Sequence, residues 1–185
     1  MVSQGRWYRT ITAEQWRVLA AAKLGWMLDA MDFLLYVMVI GRLKEYFQFD
    51  DAMAGLLGTI TLLVSATGGL FFGFIADRFG RARTLIVTIL VFSLCSLGAA
   101  TSQTLTQLVL WRALLGLGMG GEWASGAVLV SETWPAQHRT KAIGIMQSGW
   151  ALGYILAALV SALVLDVLSL GEEAWRWLFV VGALP

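Results

Sequence analysis

Four ionisable residues stand inside otherwise apolar runs: Asp29, Asp32, Arg112 and Glu122. A charge held in apolar surroundings is costly, so it usually has a partner or lines a pathway. Asp29 and Asp32 are three residues apart, about 60° around a helix, so both can face one cavity. Two nearby carboxylates in a low dielectric cannot easily both ionise. One of Asp29, Asp32 and Glu122 is therefore a candidate carrier of a proton. Arg112 has a planar fork that binds carboxylates through two donors, which makes it a candidate partner for Asp32 or for an anionic ligand. A purely structural ion pair is the competing reading.

The elements that hold these residues follow from composition. The chain has 185 residues, 58% hydrophobic and only 14% charged. A soluble domain averages about 45–50% apolar and about 25% charged residues. A core of this size cannot hide the excess, so lipid is the expected solvent. A helix needs about 20 apolar residues to cross a bilayer. Five runs qualify, at about 20–40, 52–76, 84–100, 108–130 and 142–165, and a sixth begins at 177 and reaches 185. Their length and lack of strict alternation exclude barrel strands. The expected fold is an all-α membrane bundle of these helices, 20–185, preceded by a cytoplasmic segment, 1–19.

Basic residues set the orientation. Arg6, Arg9, Arg17, Lys23, Arg78, Arg81, Arg83, Arg139 and Lys141 fall on one side, and Arg42, Lys44 and Arg176 on the other. The positive-inside rule places the N-terminus in the cytoplasm of a cell whose inner (plasma) membrane the chain spans several times. The first run is too long and too acidic for a cleaved signal. Thr12-Ala13-Glu14-Gln15 reads as a capping box, starting either a surface helix or an extension of the first span. With this orientation, a rise of 1.5 Å per residue puts Arg112 about 6 Å, Asp32 about 12 Å, Asp29 about 17 Å and Glu122 about 21 Å below the outer helix ends. The four form a staggered ladder through the middle of the membrane.

The connections carry patterns of their own. Gly73-Phe74-Ile75-Ala76-Asp77-Arg78-Phe79-Gly80-Arg81-Ala82-Arg83 ends one helix, reverses at Gly80 and starts the next. An ordinary positive-inside turn explains the arginines but not the spacing G-x-x-x-D-R-x-G-R-x-R. Arg112 opens R-x-x-x-G-x-G, and Gly116 and Gly120, four apart, share a face that admits another backbone. Glu132, Pro135 and Arg139 form E-x-x-P-x-x-x-R, and Glu132 and Arg139 are candidates to pair across that loop. Together with Trp175-Arg176-Trp177-Leu178-Phe179, these patterns resemble the major facilitator superfamily over nearly the whole chain. The resemblance implies an N-terminal six-helix bundle, truncated within its sixth helix. It also implies a charge network at Asp77 and Arg81 that latches two halves of a transporter in one state. Within the superfamily, Leu28-Asp29-Ala30-Met31-Asp32-Phe33 with Gly120-Gly121-Glu122-Trp123 looks most like the sialate/monocarboxylate:proton symporters. Aromatic-acid and sugar carriers are the alternatives.

The expected function is secondary transport of a small organic carboxylate, coupled to protons, in which the missing C-terminal half is a partner and this chain is a fragment. Gln147, Trp150 and Tyr154 lie near one stripe of the fifth helix and are candidate ligand contacts. Gly149 and Gly153 form a second packing face. The helix lacks G-P-x-x-G-G, a continuation associated with antiporters, which favours a symporter or uniporter. Trp111, Trp134 and Trp175 read as interfacial anchors, His138 as a solvated loop residue, and Cys95 as a buried small hydrophobe. There is no intramembrane Ser-His pair, metal-ligand spacing or phosphate loop, so neither an enzyme nor a cofactor or metal is expected. A net charge of +1 gives no case for nucleic-acid binding. A non-transporting membrane scaffold remains the rival from another class.

Overall fold

The computed structural model describes residues 7–168, 171 and 173–184. Arg6 and Pro185, used in the sequence reading, lie outside them. A 3-10 turn at Trp7–Thr10 precedes α1 (Ala13–Phe47), α2 (Asp51–Phe79), α3 (Arg81–Ala100) and α4 (Leu105–Thr133). After a second 3-10 turn come α5 (Arg139–Ser161), which continues into a π-wound segment Ala162–Val167, and α6 (Ala174–Gly182). The described residues contain no strand. Five of the helical segments are long and apolar enough to cross a membrane.

The helices overrun the apolar runs from which they were anticipated. α1 begins at Ala13, so residues 13–19 belong to the first helix and not to a separate segment. Thr12 caps it in a reciprocal box: its amide donates to Gln15 Oε1 at 2.9 Å and its hydroxyl accepts from the Gln15 amide at 3.2 Å. The other end holds to Phe47, closed by Gln48 in a left-handed conformation. At 1.5 Å per residue, the 35 residues span about 52 Å, well beyond a hydrocarbon core of about 30 Å. Hydropathy marks only the lipid-facing part, whereas backbone bonding continues through polar turns. For the same reason α4 runs from Leu105 and α6 starts at Ala174, three residues before each anticipated start.

Packing follows a two-fold logic. α5 lies along α1 and α2 along α4, while α6 covers α1, α3 covers α4, and α3 meets α6. Exchanging the first three helices with the last three reproduces this pattern, which is the arrangement of an internal repeat. Small residues make the closest approaches. A methyl group added at Gly120 would overlap the Ser65 carbonyl of α2, and one at Gly153 the Met27 carbonyl of α1. Gly116 meets Thr61 of α2 and Gly149 meets Lys23 of α1 in the same way.

Two apolar clusters close the ends of the bundle. Leu35, Val39, Leu43, Trp175, Leu178 and Phe179 fill one, and Leu19, Ala22, Val130, Trp134, Ala142 and Met146 fill the other. Trp134 and Trp175 are thus core residues, correcting their reading as interfacial anchors. The start of α1 folds over Trp134, whose indole N–H donates to the Gln15 carbonyl at 3.1 Å. Trp175 is enclosed among α6 and the last turns of α1, against Tyr46 and Phe47. His138 also differs from its reading. It is half-buried, with its ring 5.7 Å from that of Trp7. Cys95 is buried beside Phe92, Leu115 and Met119.

Candidate functional site

Between the two apolar clusters the bundle buries charge, and the four-rung ladder resolves into two pairs. The first joins α1 to α4. Arg112 Nη1 donates to Asp32 Oδ2 at 3.0 Å, and neither side chain is more than 1% exposed. The guanidinium sits 4.5 Å from the Tyr36 ring, which lies one helical turn beyond Asp32 on α1. Phe179 of α6 approaches it at 5.9 Å. The other carboxylate oxygen, Oδ1, lies 2.7 Å from Ser96 Oγ of α3, which is also 2.9 Å from the Phe179 carbonyl. Gly182 completes the enclosure, since any β-carbon there would meet the Asp32 carboxylate. Asp32, on α1, is therefore enclosed by three other helices, α3, α4 and α6. Arg112 keeps Nε and Nη2 buried without a hydrogen bond among the described residues.

The second pair lies one turn nearer the start of α1. The Asp29 and Glu122 carboxyls face one another, with Asp32 the next charge from Asp29. Glu122 can reach this position because Gly25 leaves room for its carboxyl, one turn before Asp29 on α1. Both residues are buried, and among the described residues no donor bonds to any of their four oxygens. The first pair has its own cation, whereas among the described residues no salt bridge reaches the second. Ser125, three residues beyond Glu122, adds a buried hydroxyl without a partner.

The α5 residues divide. Trp150 packs on Trp26 at 5.0 Å and on Phe33 at 6.2 Å, which brings it to the α1 face. Gln147 and Tyr154 lie on the exposed side of α5, away from both charge pairs.

At the end where α2 meets α3, Gly80 alone forms the reversal, with φ +95°. Arg81 bonds Asp77 across this turn at 2.5 Å and reaches Glu132, at the end of α4, at 3.5 Å. The expected Glu132–Arg139 pair is therefore replaced by Glu132–Arg81. α2 and α3 both pack on α4, and this carries the turn to the end of α4, while the Pro135 corner and its 3-10 turn lead Arg139 away. Arg78 lies over the Phe79 ring at 5.8 Å. Gly73 has open space beside it, and Arg83 is exposed.

Sequence reasoning missed Ser96, Tyr36 and Gly25. Tyr36 carried a signal, since it stands four residues from Asp32 and so on the same face. Ser96 was legible only as a hydroxyl in the middle of an uncharged run.

Residues 24–185, which hold this repeat of three helices, its charged middle and the arginine-stapled turn, match the Major Facilitator Superfamily. The chain belongs to this superfamily. It is similar to the probable 4-methylmuconolactone transporter of Cupriavidus pinatubonensis, 41% identical over 97% of this chain and 42% of that protein. It is also similar to the sialic acid transporter NanX of Escherichia coli, 31% identical over 97% of this chain and 43% of the relative. The fold matches the inward-open xylose transporter XylE of E. coli with a TM-score of 0.82 at 22% identity, covering 92% of this chain and 45% of that one. The chain spans about two-fifths of the length of these curated relatives. As a superfamily member it is a multi-pass membrane protein, and its six helices correspond to the N-terminal half of the transporter fold.

Proposed function

We propose that this chain supplies the N-terminal half of a secondary carrier that moves a small organic carboxylate across the inner membrane by proton symport and alternating access. The observation that carries this reading is the pair of buried carboxyls, Asp29 and Glu122, which among the described residues have no cation of their own beside the neutralised pair Asp32–Arg112. A proton held between Asp29 and Glu122 replaces the missing cation. Asp32 and Arg112 fix the separation of α1 and α4 around it. The organic-acid cargoes named for the relatives support the substrate class, and a polar midplane between repeats is where secondary transporters bind. Asp77, Arg81 and Glu132 form the latch, an ion network at the end facing the cytoplasm. In this reading the N-terminus is cytoplasmic.

The test is uptake of labelled organic acids into cells that express the full reading frame containing this chain, with an inward proton gradient and with the gradient collapsed. Asp29→Asn and Glu122→Gln should each abolish gradient-driven uptake while leaving exchange of bound acid across the membrane. Proton-driven uptake that survives both substitutions refutes the assignment of the proton.

A further inference from the structure

Lys23 takes no part in either charge pair. We propose that Lys23 is the cation that receives the carboxylate of the cargo, at the mouth of the cavity between α1, α2 and α4. This rests on the carrier reading above and assigns to it the residue that recognises the charge of the ligand.

Elimination leads to Lys23. The five apolar runs contain two basic residues, Lys23 and Arg112. Arg112 is spent: its side chain is 1% exposed, bonded to Asp32 and covered by the Tyr36 and Phe179 rings. An anion arriving from water cannot reach it without opening that pair. Arg139 and Lys141 stand outside the runs at the start of α5, and Lys141 is turned onto the Trp7 ring at 4.9 Å. Lys23 is half-buried, and among the described residues no salt bridge reaches its ammonium.

Helix geometry turns Lys23 away from the acids. Gly25, two residues on, faces Glu122 of α4, and two residues are about 200° around a helix. Lys23 faces α5 instead. A β-carbon added at Gly149 would lie 3.4 Å from Lys23 Cγ, so the lysine stem runs over that glycine. Trp26 is three residues on, about 60° around and about 4.5 Å along the axis. It lines a cavity of about 400 Å³ together with Met119, Gly120 and Trp123. Helical side chains lean towards the N-terminus. The ammonium therefore reaches back from the cavity to the end of α1 assigned to the cytoplasm. A lysine that served only to reach the headgroups would sit on the outward face with the exposed Leu24, whereas Lys23 follows the seam between α1 and α5.

The lining of the cavity holds no charged side chain. A carboxylate that enters it finds its counter-charge only at the mouth. A charge-assisted hydrogen bond there is roughly twice as strong as a neutral one. The two charges then cancel before the ligand moves into low dielectric, where an unpaired charge is costly.

Benzoate and benzamide share a body and differ in charge, which makes them the probes. The protein, expressed from its full reading frame and purified in detergent, is titrated with each by calorimetry, and uptake of labelled benzoate is measured in parallel. Wild type should bind benzoate at least about tenfold more tightly than benzamide. Lys23→Met should weaken benzoate roughly tenfold and benzamide less than about twofold, and Lys23→Arg should stay within about threefold of wild type for both. A measurement on the unaltered protein covers the case in which Lys23→Met fails to fold. Acetylation of Lys23 by acetic anhydride, read by mass spectrometry, should slow severalfold under saturating benzoate and not under benzamide. Equal binding of the two probes by wild type, no binding of benzoate, equal or no weakening of both in Lys23→Met, or acetylation that benzoate does not slow overturns the proposal. Lys23-dependent binding of benzoate without any uptake would sink the carrier reading and leave the role of Lys23 standing. Proton-driven uptake that Lys23→Met leaves intact would do the reverse.

Discussion

Removing the cation from the first charge pair should cost far more than removing the pair. Arg112 and Asp32 are almost fully enclosed, and their bond crosses from α4 to α1. In Arg112→Met, Asp32 keeps only Ser96 as a donor, at 2.7 Å. In Asp32→Asn, the guanidinium keeps the Tyr36 face but loses its counter-charge. Stranding one member of a buried pair costs about 3–5 kcal/mol. That is a large fraction of a typical folding stability of about 5–15 kcal/mol. The double variant leaves an Asn that still accepts from Ser96 beside an apolar side chain. Its loss should be no more than about 2 kcal/mol, because replacing both charges is often close to neutral. The assay is unfolding of the purified chain in mixed micelles by increasing mole fraction of SDS, followed by near-UV circular dichroism and tryptophan emission. Two outcomes refute the reasoning. One is a double variant that loses the sum of the single losses, about 6–10 kcal/mol, since the residues would then act independently. The other is Arg112→Met alone shifting stability by less than about 1 kcal/mol.

Three further expectations use the same unfolding assay. Gly120→Ala forces a methyl into the Ser65 carbonyl and should destabilise by about 1–3 kcal/mol or more, whereas Gly55→Ala, which meets nothing within 4 Å, should be neutral or slightly stabilising. Gly80→Ala, at φ +95°, should cost about 1–3 kcal/mol, while Arg81→Ala, which breaks two partly exposed ion pairs, should cost no more than about 1 kcal/mol. Ser96→Ala removes a buried hydrogen bond to a carboxylate and should cost about 1.5–3 kcal/mol, less than Arg112→Met, and the opposite order would count against Arg112 as the main partner of Asp32.

The membrane character and the helix-to-helix order could be read in advance because hydropathy and turn chemistry are local. Gly80 is one such case: a glycine between two helices, followed by basic residues, specifies a reversal without knowledge of the rest. Partner choice is not local. Depth counting placed Arg112 above Asp32 and Glu122 below Asp29, but it treated each apolar run as a complete helix, and α1 extends seven residues past both ends of its run. Glu132 shows the same limit. Arg139 is its neighbour in sequence, yet Arg81 is its neighbour in space because α2 and α3 share α4 as their support. Trp134 and His138 stand at a helix end, where sequence suggests solvent or lipid headgroups. The start of α1, some 120 residues earlier in the chain, covers Trp134, as its bond to Gln15 records.

The bond between Asp32 and Arg112 also orders events in time. Its ends are 80 residues apart in the chain. At synthesis rates of about 5–20 residues per second, α1 is made about 4–16 s before its cation exists. During that interval α1 carries Lys23, Asp29 and Asp32 without Arg112, and each acid at mid-depth costs about 2.5–3.5 kcal/mol on insertion scales. α2 and α3 have no such charge in their spans and can enter without delay. α1, made before α2 and α3, is thus expected to settle into the bilayer after them, and its final seat is made by α4. A ribosome stalled before residue 112 should hold α1 accessible to water-soluble labels, while α2 and α3 are already sealed in lipid.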